Sequence, residues 1–253
     1  SEYGGMNTSY FIKANWPAPN NVIAGTTLRM VRLNKELKVS FNLADHIGDD
    51  REKVLVNREI FKKQLNLYQE PYWLHQVHGN CVVKAPFRKI LPTADACVTK
   101  TPNTVCIILT ADCLPIFFTS EKGDFVGIAH AGWKGMLAGI IEETISSFEI
   151  EPQTLMVWLG PAISQSAFEV GDEVRDQFLL KEREAEQFFL KNPTKRWQAD
   201  LYGLAKLKLN NYGVKKIFSG QYCTFKQQKE FFSYRRNNQS GRMANFIYIN
   251  NYL

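Results

Sequence analysis

Only four histidines occur in 253 residues, and the five cysteines include no Cys-x-x-Cys pair. A structural zinc site closes four positions with protein ligands and normally carries such a pair, so no zinc finger is encoded here. A site of several coppers held by imidazoles would need many more than four. The cysteines, Cys81, Cys97, Cys106, Cys113 and Cys223, are odd in number and scattered. That spacing predicts reduced thiols rather than a disulfide framework. Gly-x-Gly-x-x-Gly and Gly-x-x-x-x-Gly-Lys-Ser/Thr are both missing, which removes the sequence basis for dinucleotide or P-loop nucleotide binding. No apolar run approaches the ~18 residues of a membrane span, and the amino terminus lacks the layout of a secretory signal. A cytoplasmic protein without a membrane partner is expected.

Positive charge is in mild excess, +6 with a sequence pI near 9.0. The basic residues are scattered in small clusters such as Lys62-Lys63, Lys215-Lys216 and Arg235-Arg236, without aromatics at a recognisable nucleic-acid spacing. No nucleic-acid partner is predicted; a solvated basic surface and a phosphate-accepting site both fit this charge. The oligomeric state is left open.

What is present is ample apolar material, 45% hydrophobic and 13% aromatic residues, enough for a sizeable core. No repeat, low-complexity tract or linker divides it. One domain over residues 6–253 is predicted, with Ser1 to Gly5 read as a non-native leader before a natural start at Met6. Residues 50 to 67 carry Val54, Leu55, Phe61 and Leu65 at helical spacing behind the acidic pair Asp49-Asp50, which predicts a capped covering helix. Extended segments are expected at 72–74, 81–84, 105–109, 116–119, 125–129, 155–159, 216–219, 231–234 and 246–249. A helix should follow Gly132 and Gly135, through Leu137, Ile140, Ile141, Thr144, Ile145 and Phe148. A second spans 172–191, and a third starts at Asp200 and stops at Gly213. Strands neither alternate strictly with helices nor gather in one half, so the fold class is α+β, a single domain with mixed β-sheets and helices packed on the outside.

Three short runs carry the chemistry: Gln76-Val77-His78-Gly79, Thr110-Ala111-Asp112-Cys113 and His130-Ala131-Gly132-Trp133. Each places one N or S donor at the edge of a predicted strand. Three donors without a fourth suit a catalytic metal site, which keeps one position open. Spacing by itself does not separate such ligands from packed core residues.

Taken with Asn42-Leu43, His46-Ile47-Gly48-Asp49-Asp50, Ala94-Asp95-Ala96, Leu114-Pro115, Lys134-Gly135, Gly160-Pro161-Ala162-Ile163, Phe168-Glu169-Val170-Gly171, Phe232-Ser233-Tyr234-Arg235-Arg236 and Gly241-Arg242, these runs resemble the YfiH-like laccase-domain family over nearly the whole chain. That family has been labelled polyphenol oxidase and is also described as purine nucleoside phosphorylase and adenosine deaminase. The resemblance implies an α+β domain with a metal, usually zinc, held by His78, Cys113 and His130. Where the family commonly has a Gly-Gly pair soon after Thr-Arg, this chain reads Thr27-Leu28-Arg29-Met30-Val31-Arg32. The turn there must differ.

His78, Cys113, His130 and Asp112 are therefore the candidate catalytic residues, with Asp112 expected to orient the metal site or to serve a turn. Arg29, His46, Arg235 and Arg242 are the candidates for substrate and phosphate, with Arg236 a further guanidinium. His75, an odd number of residues from His78, should point away from it in an extended strand. Trp133 and Phe168 could stack a flat base or simply pack in the core. The leading expectation is a zinc enzyme that phosphorolyses adenosine, inosine, guanosine and methylthioadenosine and hydrolytically deaminates adenosine. The partners would be small-molecule nucleoside and phosphate. A copper-dependent polyphenol oxidase, a Cys113-dependent amidase editing cell-wall precursors and a non-catalytic scaffold are the other readings.

Overall fold

A computed structural model describes residues 7–251. The proposed leader, the start at Met6 and the last two residues of the chain lie outside the described residues.

In chain order, strands β1 (Phe11–Lys13), β2 (Val22–Thr27), β3 (Met30–Arg32) and β4 (Lys38–Ser40) precede helix α1 (Arg51–Gln64). Strands β5 (Val82–Lys84), β6 (Ala96–Thr99), β7 (Cys106–Thr110), β8 (Leu114–Ser120) and β9 (Val126–Ala131) follow, then helices α2 (Trp133–Ala138) and α3 (Ile140–Ser147). The remainder is β10 (Leu155–Leu159), β11 (Glu169–Val170), α4 (Asp172–Lys181), β12 (Phe189–Lys191), β13 (Trp197–Ala199), α5 (Leu201–Asn211), β14 (Lys216–Ser219) and β15 (Met243–Ile249).

Two sheets dominate, a four-stranded one in the order β1-β2-β15-β7 and a six-stranded one in the order β14-β10-β8-β9-β6-β5. Successive side chains of a strand point to opposite faces, and here both faces are covered. Cys106, Ile108, Ile247 and Ile249 of the smaller sheet meet Cys97, Phe117, Ile128 and Trp158 of the larger one in a common apolar layer. Their neighbours Ile107, Leu109, Phe246 and Tyr248 turn the other way, toward Phe61 and Leu65 of the α1 region. On the far side of the larger sheet, Leu114, Ile116, Phe118, Ala129 and Val157 pack with Ile140, Ile141, Ile145, Leu204 and Leu209. The result is four layers, helix, sheet, sheet, helices. Strands buried on both faces read as continuous apolar runs rather than alternation, as β7, β8, β9 and β10 do. The predicted α+β class with external helices is the architecture observed.

Local chemistry sets the helix ends. Asp50 accepts the N–H of Glu52 at the start of α1, and Asp200 accepts that of Gly203 at the start of α5; each such cap is worth about 1 kcal/mol. The single helix expected after Gly132 is instead two, because Gly139 at φ +98° ends α2 and begins α3. A left-handed residue cannot continue a right-handed helix, and glycine takes it without Cβ strain. The helix expected over 172–191 is also shorter: α4 stops at Lys181, a 3-10 segment covers Arg183–Phe188, and Phe189–Lys191 becomes β12, paired with β13. Segment 231–234 is not a strand but part of a loop around the site, and 72–74 contributes only the bridge between Tyr72 and Cys106. No helix among the described residues is long and apolar enough to cross a membrane.

Candidate metal centre and cavity

The chain crosses from the four-stranded to the six-stranded sheet in the three residues Ala111-Asp112-Cys113, between β7 and β8. Asp112 makes this turn at φ +103°. β8 runs antiparallel to β9 with Pro115 opposite His130 and Leu114 opposite Ala131, so Cys113 and His130 emerge at the same end of one strand pair. His78 arrives from the other side on the loop before β5, itself at φ +60°.

The donor atoms of His78, Cys113 and His130 all lie within 4.8 Å of one another. Cys113 Sγ is 4.0 Å from His78 Nε2, and the two imidazole centroids are 4.7 Å apart. Together the three could hold a metal ion. Two imidazoles and a thiol are the donors zinc prefers, and copper also accepts them.

Asp95, fully buried at the start of β6, organises the cluster. Its Oδ2 accepts from His130 Nδ1 at 2.7 Å and from the His78 N–H at 3.0 Å, while Oδ1 accepts from the N–H groups of Val77 and Gly79. One carboxylate thus shapes the His78 loop and fixes the His130 ring. With Nδ1–H donated to Asp95, the His130 Nε2 lone pair is free for a metal, the usual carboxylate–histidine–metal relay. Burial alone would raise the Asp95 pKa, but His130 and the backbone donors outweigh it and hold it below the ordinary carboxylate value.

Burial likewise opposes ionisation of Cys113, yet the charge and hydrogen bonds of His130 and His78 bring its pKa down to about 6. His130 responds in the opposite sense. Burial would lower it, but Cys113 and Asp95 raise it to about 9. The thiolate and the imidazolium stabilise each other in the absence of a metal, and a dication would displace the imidazolium proton from His130 Nε2.

Gly132 holds the space beside the thiol: a Cβ there would sit 2.7 Å from Cys113 Sγ and 3.7 Å from His78 Cδ2. Gly132→Ala is expected to weaken metal affinity by about ten- to a hundredfold, the equivalent of the roughly 1–3 kcal/mol that overpacking costs. Chelator competition checks it, and affinity equal to wild type would remove the steric role.

The cluster borders a cavity of about 540 Å3. His46, His75, Trp133, Phe168, Arg235 and Arg242 all line it. So does Arg58, which sequence reasoning passed over as a polar helix residue. Its guanidinium stacks 3.7 Å from the centroid of Trp73, and its Nε donates to Leu43 O. Asp45 lies 3.7 Å from Arg58 and 3.9 Å from His46. Burial first, then the charge of Arg242, lowers the His46 pKa, with Arg58 and His75 adding to the fall and Asp45 opposing it. Arg235 lies over Phe168 at 4.9 Å and donates to Glu169 O, whereas Arg242 lies over Tyr234 at 5.7 Å and donates to Ser240 O and Gly241 O.

Three sequence readings change. His75, expected to face away from His78, lines the cavity with it, because His78 at φ +60° interrupts the extended chain. Asp112 does not reach the histidines: its carboxylate accepts from Thr224 Oγ1 and from the Arg235 N–H, both at 2.7 Å, so it ties down the loop that carries Arg235. The carboxylate on His130 is that of Asp95. Arg29 does not line this cavity; it immediately precedes β3 and lies in a second one.

Fold and site together define a four-layer domain with a His/Cys/His cluster at a cavity rich in arginine and aromatic residues. The chain belongs to the family described as multi-copper polyphenol oxidoreductase laccase, whose model matches residues 23–250. It is 43% identical over 244 residues to the purine nucleoside phosphorylase YfiH of Escherichia coli, covering 95% of this chain and 99% of that protein. With the purine nucleoside phosphorylase of Haemophilus influenzae the identity is 40% over 240 residues, covering 94% and 98% of the two chains. The crystal structure of Neisseria meningitidis protein NMB0706 superposes with a TM-score of 0.86 at 39% identity, over 95% of this chain and 99% of that one.

Proposed function

We propose that this chain is a purine nucleoside phosphorylase that works with zinc held by His78, Cys113 and His130. Adenosine, inosine, guanosine and methylthioadenosine are its substrates, and adenosine is also deaminated at the same site. The observation that carries this reading is the adjacency of the three donors to a cavity holding three guanidiniums, in a chain similar over its length to proteins named purine nucleoside phosphorylases.

Phosphorolysis breaks the bond between C1′ of the ribose and the purine nitrogen and forms a bond from C1′ to a phosphate oxygen. Negative charge must be held at both partners as the bonds exchange. Arg58 and Arg242, with His46 beside them, offer the anion site, and the stacks of Arg58 on Trp73 and Arg242 on Tyr234 keep those forks from swinging into solvent. Phe168 and Trp133 offer flat faces for the base. Zinc, when bound, supplies Lewis acidity, polarising a substrate atom or lowering the pKa of water toward about 7. The chain's own part is to keep His130 in one tautomer through Asp95 and to keep Cys113 a thiolate.

A multi-copper reading has less support, because this is the one group of three or more ligating side chains among the described residues. Purified, zinc-loaded protein is expected to release hypoxanthine from inosine only when phosphate is added, with ribose 1-phosphate as the second product. Release that is independent of phosphate, or absent at every zinc loading, would defeat the proposal.

A further inference from the structure

A second cavity, of about 550 Å3, lies apart from the histidines and cysteine. Its walls carry two guanidiniums, Arg29 and Arg236, with the polar side chains of Ser40, Asn237, Gln239 and Ser240. Each arginine is anchored by part of its fork. Arg29 Nη1 donates to Gln228 O and lies over Phe232 at 5.7 Å, while Arg236 donates from Nη1 to Thr224 O and Phe225 O and from Nη2 to Phe231 O.

Among the described residues neither guanidinium is within ion-pair distance of a carboxylate; the arginines that form such pairs are Arg58, Arg175 and Arg196. The cavity does contain Asp49, but that carboxylate is held by the Asn42 amide and the Asp50 N–H. Asp112 partly offsets the charge of Arg236, but it does not line the cavity and both its oxygens are occupied by Thr224 and Arg235. Burial, then the neighbouring charge of Arg29, pushes the Arg236 pKa down. Two half-buried cations that repel each other, fixed by carbonyls rather than by carboxylates, form a positive recess that an anion would stabilise.

We propose that this recess is a second anion site, which takes the phosphate group of a small molecule between Arg29 and Arg236, separately from the metal-centre cavity. Planar guanidiniums match phosphate oxygens with paired N–H donors, and the volume exceeds what inorganic phosphate fills, leaving space for the body of a phosphomonoester. The segments 40–49 and 231–242 contribute to both cavities: Arg235 faces the metal centre and Arg236 the recess, as Asp45 and His46 do on one side and Asn42 and Asp49 on the other. Occupancy of the recess therefore bears on loops that also wall the metal-centre cavity.

Arg29 is the residue to change, because Arg236 closes three backbone carbonyls and its loss would disturb the loop itself. Crystals of the full chain soaked in selenate should show an anomalous peak between the two guanidiniums. Calorimetric titrations with inorganic phosphate and with adenosine 5′-monophosphate then distinguish the free ion from the monoester. Arg29→Gln should weaken binding at the recess by at least tenfold and remove the selenate peak, while Arg29→Lys should retain a weaker peak. Tighter binding of the monoester than of phosphate, lost in Arg29→Gln, identifies the monoester as the ligand; equal binding identifies the inorganic ion. An empty recess at saturating selenate, or a peak unaltered in Arg29→Gln, would overturn the assignment.

Discussion

Replacing Cys113 by alanine is expected to lower kcat/KM for inosine phosphorolysis by about 1,000-fold or more and to leave the purified protein with little zinc. The estimate follows from the loss of one of three protein donors and of the electrostatic stabilisation organised around it. Alkylation separates this role from that of a nucleophile. In metal-free protein the Cys113 pKa is about 6, so the thiolate accumulates as pH rises through that value and the alkylation rate should climb from pH 5 and level off by about pH 8. Zinc should suppress the reaction across the whole range. Fast alkylation of fully zinc-loaded protein, with activity retained until the thiol is blocked, would transfer the chemistry to a cysteine nucleophile.

Segments whose form is set by nearest neighbours were legible in the sequence. The apolar run Leu155–Leu159 and the short Lys216–Ser219 are strands with the expected bounds, and Asp50 and Asp200 cap the helices they were expected to cap. Where tertiary contacts decide, periodicity was misleading. The glutamate-rich stretch after Asp172 has helical composition throughout, but Glu182 leaves the helix at φ −146° and its carboxylate goes to Lys208 and Asn211. Phe189 can then enter the core as β12 pairs with β13. Strand β2, the centre of the smaller sheet beside β15, passed unnoticed because Val22–Thr27 mixes glycine and threonine with only two strong apolar residues.

The candidate site shows the same division. His78, Cys113 and His130 were distinguishable because few residues of their type exist in the chain and each stands in a short motif. Their supporting groups were not. Arg58 belongs to a helix half of whose residues are charged, and only the closeness of Trp73 and Asp45 reveals that it faces a cavity. Asp95 was visible within Ala94-Asp95-Ala96, yet the acid adjacent to a ligand in sequence, Asp112, drew the second role instead. Sequence proximity placed the carboxylate beside Cys113, whereas β6–β9 pairing brings Asp95 to His130 from 35 residues away.

Asp95 accordingly carries the second large effect. Asp95→Ala should cost about 3–5 kcal/mol of stability, as expected when one partner of a buried charged hydrogen-bond network is removed. Three backbone N–H donors and one imidazole would lose their acceptor together. Asp95→Asn is the more informative change, because its shape is nearly conserved. An asparagine can aim its carbonyl at the Val77 and Gly79 N–H groups, but its amide nitrogen then faces both the His78 N–H and His130 Nδ1 as a donor. The imidazole must accept there, its proton moves to Nε2, and the lone pair that would bind metal is lost. Zinc affinity should fall by about ten- to a hundredfold and phosphorolysis should fall with it, while the melting temperature moves less than in Asp95→Ala. The tautomer can be read directly from the 15N shifts of His130 in metal-free protein above about pH 9, where the imidazolium has lost its second proton. Unchanged His130 shifts together with wild-type zinc affinity in Asp95→Asn would mean that Asp95 only shapes the His78 loop, through the acceptor it still offers Val77 and Gly79.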